Sequence, residues 1–295
     1  MSVSDRQLVV VEDKSPIGII CGGGSLPFAI ADSVLRNGRR VVLLAIKGWA
    51  DAGRVAQYPH HWIALGQFGH LCRLARSEGC RDLVFIGSLL RPRVTQIRLD
   101  LLTVRIIPKI ISAFRGGDDH LLSGIARIFE QYGFRLLGAH EVAPDILAPA
   151  GALGQRRPSD DDLADMQRAV ALLTSIGPFD VGQAVVIAGG HVLAVEAAEG
   201  TDLMLERVAD LRKRGRVASP AGVGVLVKAP KKGQDLRFDM PAIGPATVDG
   251  VVRAGLAGVA VMAGATLIAD AMDVAQRADG NGIFVYGVAG ETAAS

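Results

Sequence analysis

The most informative polar segment of the chain is Lys228-Ala229-Pro230-Lys231-Lys232-Gly233-Gln234-Asp235-Leu236-Arg237-Phe238-Asp239-Met240-Pro241. Read as an extended strand, it turns Asp235, Arg237 and Asp239 to one side and Leu236, Phe238 and Met240 to the other. A solvated edge strand has the same pattern. What favours function is density, since three lysines, an arginine and two aspartates lie close to Gly222, Gly224, Gly233 and Gly244. That mixture suits phosphates and a divalent ion. Residues four apart on a strand stand roughly 13 Å apart, so Asp235 and Asp239 either sit on a bend or have separate roles.

A second polar group is Glu196-Ala197-Ala198-Glu199-Gly200-Thr201-Asp202. Thr201 or Asp202 is a sound helix N-cap, whereas Glu196 and Glu199 follow a strand and could hold a metal or ribose hydroxyls. Farther back, Gly22-Gly23-Gly24-Ser25-Leu26-Pro27 joins an apolar strand to a helix. Glycines there let the backbone approach a ligand, and free N–H groups at a helix start attract anions. The plain alternative is a tight turn with Ser25 as cap. The dinucleotide fingerprint is incomplete: Pro27 stands at its third glycine, and Lys47 ends the second strand where an acid usually holds the ribose. A nicotinamide-dependent oxidoreductase is therefore disfavoured. Gly116-Gly117-Asp118-Asp119-His120 opens a helix, as an anion site or as a well-capped start. His60, His61, His70, His140 and His191 follow no metal-ligand spacing.

These groups need elements to carry them. Ile17-Gly18-Ile19-Ile20-Cys21 is a continuous apolar run of the buried-strand type, followed by a helix to about residue 37. Strands are expected at 41–46, 62–65 and 82–86, with a helix over 69–78, and this alternation predicts a parallel sheet with helices on its faces. Helices follow at 100–114 and 119–132, and a closing strand at 135–137. The Gly-, Pro- and charge-rich stretch near 148–160 marks a boundary. We expect an extension over 1–16, a Rossmann-like first domain over 17–150, a linker at 151–160 and a mixed α/β domain over 161–290. In the second domain, 161–175 and 202–214 read as helices, and 184–187 and 192–195 as a hairpin over Gly189-Gly190. Strands are expected at 223–227, 258–261 and 283–286.

Composition narrows the partners. The 295 residues suffice for two ordinary domains, and 32 Lys and Arg against 30 Asp and Glu leave a formal charge of only +2. Nucleic acid, which needs a concentrated basic surface, is disfavoured. Cys21, Cys72 and Cys80 form neither a disulfide framework nor a zinc motif, which predicts a reducing compartment. Residues 1–14 lack the apolar core of a secretory signal. The apolar run over 254–269 is broken by Gly255, Gly258 and Gly264, so a strand with flanking turns is expected rather than a membrane span. We expect a cytoplasmic protein that binds a phosphorylated small molecule.

Taken together, Ile20 to Pro27, Gly117-Asp118-Asp119, Glu196 to Asp202 and Lys228 to Pro245 resemble the signature blocks of the UDP-2,3-diacylglucosamine pyrophosphatase family of lipid A biosynthesis, the form unrelated to calcineurin-like phosphoesterases. The resemblance runs from Ile17 to Tyr286, and Gly233-Gln234-Asp235-Leu236-Arg237-Phe238-Asp239-x-Pro241 is its most specific part. Met262 stands where an acidic residue was expected. The resemblance implies two domains, hydrolysis of UDP-2,3-diacylglucosamine to UMP and 2,3-diacylglucosamine 1-phosphate (lipid X), and a divalent ion, Mg2+. On that footing Asp235, Asp239, Lys228 and Arg237 are the catalytic candidates, with Asp235 the foremost. Asp235, Glu199 and Asp202 are the candidate metal ligands. Gly22, Gly23, Gly24, Ser25, Leu26, Pro27, Asp118, Asp119, Thr201, Gln234 and Thr247 are the candidate substrate contacts. The substrate implies peripheral contact with the cytoplasmic face of the inner membrane. A homodimer is expected because two-fold assemblies are the commonest, and a non-catalytic carrier of a nucleotide sugar or acyl sugar is the other alternative.

Overall fold

The computed structural model describes residues 15–89, 98–114, 118–179, 181–231, 235–237 and 239–290, the side chains of 110–114 and 118–123 excepted. The first half runs β1 (Ile17–Cys21), α1 (Leu26–Arg36), β2 (Val41–Ile46), α2 (Ala52–Val55), β3 (His60–Ile63), α3 (Phe68–Ser77), β4 (Asp82–Ile86), α4 (Leu101–Phe114), α5 (Asp118–Gln131), β5 (Arg135–Leu137) and α6 (Ala139–Val142). The second continues with β6 (Gly151–Ala152), α7 (Asp160–Ile176), β7 (Ala184–Ala188), β8 (His191–Val195), α8 (Gly200–Lys213), β9 (Val225–Lys228), β10 (Ala242–Ile243), α9 (Pro245–Arg253), β11 (Gly258–Met262), β12 (Leu267–Ile268), α10 (Ala271–Gly280) and β13 (Phe284–Val288).

β1 and β2 are buried at every residue, as strands covered on both faces must be. The first sheet is parallel in the order β3-β2-β1-β4-β5. This is the Rossmann-like order, and the direction of winding reverses between β1 and β4. One face, with Ile17, Ile19 and Cys21, packs on α1 and α6. The other, with Ile20, Leu44 and Leu83, packs against α3 and α5. All three cysteines are buried, and burial pushes each thiol up to about 11, so none is a ready nucleophile.

The second sheet is mixed, in the order β6-β13-β11-β9-β7-β8. β13, β11 and β9 are mutually parallel, and the β7-β8 hairpin turns over Gly189-Gly190 as expected. The buried carboxylate of Asp165 on α7 fixes that turn, accepting from Gly189 N at 2.9 Å and Gly190 N at 2.7 Å. The apolar run over 254–269 holds β11 and β12, and among the described residues no helix is long and apolar enough to cross a membrane. Gly151–Ala152, inside the stretch expected as a linker, pairs antiparallel with β13.

The small parallel sheet of β10 and β12 holds the two halves together. Adjacent strand residues face opposite ways. Leu267 accordingly belongs to the α1 face of the first core, while Ile268 and Ile243 belong to the second core. Met240 and Ala242 also pack against the first core, which brings the segment before β10 to the boundary between the halves.

Candidate active site

A cleft of about 520 Å³ lies at that boundary. Its first-domain wall is Gly23, Gly24, Ser25 and Leu26 after β1, with Ile86, Gly87 and Ser88 at the end of β4. These are the carboxyl ends of the two strands flanking the reversal, where open α/β sheets take their ligands. Facing them are Glu199 to Asp202, Lys228, Asp239 and Met240, and Gly244 to Thr247. The starts of α1, α8 and α9 thus converge on one cavity. Helix starts carry partial positive charge, and three of them around one cavity suit an anionic ligand, although Pro27 and Pro245 offer no N–H and Phe28 N, Gly200 N and Thr247 N are already bonded within the chain.

The Gly22–Gly24 loop is less open than the sequence suggests. Gly22 N donates to Ile86 O and Gly23 N to Ser88 O, both at 2.9 Å. Those two N–H groups therefore anchor the loop to β4. A Cβ at Gly22 would meet Gly87 C and Ser88 O at 2.9 Å, and one at Gly23 would meet Ser88 Oγ at 2.9 Å. Gly24 has φ +92, with nothing near its absent Cβ. Ser25 makes no side-chain cap hydrogen bond, which leaves the first turn of α1 facing the cleft. Pro27 is buried in α1, away from the lining.

Lys228 ends β9 at the floor of the cleft. Its Nζ donates to Thr201 Oγ1 at 3.0 Å and to Ala242 O at 3.1 Å. Burial pushes its pKa down, while Glu196, Asp202 and Asp239 pull it back up. Thr201 Oγ1 donates to Glu196 Oε1 at 2.7 Å, and Glu196 Oε2 accepts from Gln183 N at 2.8 Å. The N-cap of α8 is Glu199, not Thr201 or Asp202. Thr201 is free of the capping role because the helix begins one residue earlier, at Gly200, with φ +78. The Glu199 carboxyl is held below the usual carboxylate range by its own backbone N–H and by Arg207, 2.6 Å away. The Thr247 hydroxyl accepts from Gly244 N at 3.3 Å and so closes the start of α9.

The two aspartates of the dense segment separate. Asp239 lines the cleft and also an adjoining recess of about 340 Å³ with Gln183, Glu196, Lys228 and Lys231. Its Oδ2 accepts from Gln183 Nε2 at 2.7 Å. Neither Asp235 nor Arg237 lines either cavity. Arg237 instead clasps Asp235, with Nη2 2.7 Å from Oδ2 and Nε 3.0 Å from Oδ1. That pairing holds the Asp235 carboxyl below its usual range and raises the Arg237 pKa. Arg237 Nη1 also lies 3.8 Å from Glu130 of α5, so the pair faces the first domain. Of the alternatives left open for 228–241, the chain takes the bend: Asp235 Oδ1 accepts from Arg237 N at 3.1 Å and Asp239 N donates to Asp235 O at 3.3 Å, making a local turn. Asp118 and Asp119 fall in the first turn of α5, their side chains outside the described residues, as is Gln234.

Gln183 and Ser88 carry no signal in isolation. Gln183 precedes β7, 56 residues before the carboxylate it holds. Ser88 follows β4 by two residues and pairs with Gly23 through a bridge, which only the sheet order makes visible.

Comparison with known families places both halves of the chain. Residues 16–146 match the LpxI N-terminal domain and residues 149–286 the LpxI C-terminal domain. The chain belongs to the LpxI family. The UDP-2,3-diacylglucosamine pyrophosphatase LpxI of Caulobacter vibrioides is 40% identical over 272 residues, 92% of this chain and 97% of that protein. A structure of glycinamide-RNase-transformylase T from Mycobacterium tuberculosis covers 62% of this chain and 44% of that one at 16% identity, with a TM-score of 0.23 that carries no argument. Both LpxI domains contribute to the cleft, the first through the β1-α1 turn and the second through α8, β9 and α9.

Proposed function

We propose that this chain hydrolyses the pyrophosphate bond of UDP-2,3-diacylglucosamine, giving UMP and 2,3-diacylglucosamine 1-phosphate, and that the cleft between its domains is the active site. The observation that carries the reading is the convergence of three helix starts and the ammonium of Lys228 on one cavity in a chain 40% identical to a UDP-2,3-diacylglucosamine pyrophosphatase. In the reaction a water oxygen bonds to one phosphorus, the bridging P–O bond breaks, and the water gives up its proton. Catalysis then rests on positioning and on neutralising phosphoryl charge.

In this reading the helix starts and Lys228 hold the phosphate oxygens, and the glycine turn after β1 lets the backbone lie close to them. Asp239, fixed by Gln183, faces the same oxygens and orients the attacking water. Asp235 and Arg237 brace the segment against the first domain. Asp239, Asp202 and Glu199 supply only oxygen donors, the chemistry that suits Mg2+, which is commonly held by one or two carboxylates together with substrate phosphates. No group of three His, Cys, Asp or Glu side chains forms a ready cage among the described residues. A bound ion would add charge neutralisation at the phosphoryl oxygens. Work at the cytoplasmic face of the membrane, as a homodimer, belongs to the same proposal.

The test is product analysis. Incubation with UDP-2,3-diacylglucosamine and Mg2+ should release UMP and the acylated sugar phosphate in equal amounts. Tight binding with the substrate recovered intact would instead make this a carrier.

A further inference from the structure

The outward face of α4 is apolar where a surface helix is normally polar. Thr103 and Ile106 are buried, on the side where α4 packs against α3 and α5. On the other side Leu101, Val104, Arg105 and Pro108 are exposed, and their spacing of i, i+3, i+4 and i+7 puts them on one stripe. Leu101 is 91% exposed and Val104 52%, and Leu99, just before the helix, is 54% exposed. Single exposed apolar side chains are ordinary, but a row of them along one helix face marks a contact surface.

Cations border this stripe. Arg98, Arg105 and Lys109 are all exposed. The sole carboxylate between residues 98 and 109 is that of Asp100, and it is turned to the protein, accepting from Thr103 N and Thr103 Oγ1 at 2.8 Å and from His70 N at 2.9 Å. Apolar side chains rimmed by arginine and lysine suit the surface of an anionic bilayer, where the apolar groups enter the headgroup region and the cations meet lipid phosphates. A second copy of the chain suits the face less, because a two-fold contact through it would set Arg98 and Arg105 near their own counterparts. The position of the face ties it to the cleft. Arg98 N donates to Leu65 O at 2.9 Å and Asp100 N to Gly66 O at 3.4 Å, just past the end of β3, so the start of α4 stands at the carboxyl edge of the first sheet. Gly23 and Gly87 line the cleft from the same edge. In the sheet order β3 is two strands from β1, about 10 Å at the usual spacing.

We propose that Arg98, Leu99, Leu101, Val104 and Arg105 form a docking face that seats the first domain on an anionic phospholipid bilayer. The proposal rests on the pyrophosphatase reading for why a bilayer is the partner, and it adds which surface meets it. The contact is with the lipid matrix and not with the substrate, so it should form on vesicles that contain no sugar lipid. Each cation near the bilayer should strengthen binding about fivefold, and that contribution should shrink as salt screens it.

The probe is sedimentation of the full chain with phosphatidylcholine vesicles, prepared with and without phosphatidylglycerol. The wild type should bind the vesicles that carry phosphatidylglycerol, bind them less as NaCl rises, and bind the neutral ones weakly. Arg98→Ser combined with Arg105→Ser should lose about tenfold or more on the anionic vesicles, and Leu101→Glu combined with Val104→Glu at least as much. Phe179→Glu, which replaces an apolar side chain 78% exposed outside this face, should bind as the wild type does. All these positions are exposed, thermal melts identify any variant that does not fold, and the remaining ones decide. Equal binding to neutral and anionic vesicles overturns the proposal, as does binding that the folded α4 variants leave unchanged. A change of oligomeric state by light scattering in those variants, with vesicle binding unaltered, overturns it in favour of a second copy. Hydrolysis of detergent-dispersed UDP-2,3-diacylglucosamine is scored separately. Vesicle binding through α4 without hydrolysis supports the docking face and counts against the pyrophosphatase reading, whereas hydrolysis without vesicle binding overturns the docking face alone.

Discussion

The ammonium of Lys228 lies 3.0 Å from the hydroxyl of Thr201, which passes its own hydrogen to Glu196 at 2.7 Å. A threonine at the start of one helix thus ties the cation at the end of a strand to a carboxylate at the end of a neighbouring hairpin. The charge of Lys228 is aimed by this chain at the cavity where phosphates would lie.

Lys228→Met keeps most of the side-chain volume and removes the charge. Turnover should fall about a hundredfold or more, roughly 3 kcal/mol of transition-state stabilisation. The melting temperature should stay close to wild type, since the change also removes the cost of burying a charge. A kcat assay beside a thermal melt checks both.

Glu196 should act through that cation. Burial pushes the Lys228 pKa down, and of the carboxylates opposing it Glu196 acts most strongly. Glu196→Gln keeps a hydrogen-bond acceptor for Thr201 and removes the negative charge. The Lys228 pKa should drop further, so the cationic form is lost at a lower pH on the alkaline side. The alkaline limb of the pH–kcat profile should accordingly move toward neutrality, while the acid limb stays in place. An unmoved alkaline limb would assign Glu196 a packing role only.

The glycine turn gives a structural prediction. Gly22 and Gly23 are pressed against Gly87 and Ser88, with gaps of 2.9 Å to an added Cβ. Gly23→Val should therefore lower the melting temperature as well as raise KM, because the loop shifts against β4 before any ligand arrives. Gly24→Ala, at φ +92 but with open space around it, should cost about 1 kcal/mol of stability through its left-handed backbone alone.

How much of this was legible in the residues differs from segment to segment. The β1-glycine-α1 unit was plain because an all-apolar run followed by glycines and a prolyl helix start has few other solutions. Lys228 entered as one of three lysines in a dense polar segment, and only the fold puts it at the end of β9. The Asp235 to Asp239 segment stayed ambiguous for a physical reason. Its alternation fits a strand, but Asp235 satisfies itself on Arg237 two residues away, and such local hydrogen bonds compete with sheet pairing. The bend that follows leaves Asp239 in the cleft and Asp235 outside it. Gln183 and the Leu267–Ile268 junction depend on contacts between distant segments, which no local pattern encodes.

The proposed reading includes a divalent ion working with the oxygen donors of the cleft. Thorough chelation should remove turnover and added Mg2+ should restore it, with the fold unaltered by circular dichroism. Full activity after chelation would leave Lys228 and the helix starts to neutralise the phosphates unaided.

The most direct measurement is UMP release from UDP-2,3-diacylglucosamine by the wild type, Asp239→Ala and Asp235→Ala assayed side by side, with thermal melts on each. Asp239 lines the cleft beside Lys228, while Asp235 is clasped by Arg237 outside it. Asp239→Ala should lose about a hundredfold or more in kcat at wild-type stability. Asp235→Ala should lose stability and raise KM while keeping kcat within about tenfold, if its role is the proposed one of bracing the segment. The reverse order, or a wild type that releases no UMP, would contradict the placement of the reaction in this cleft.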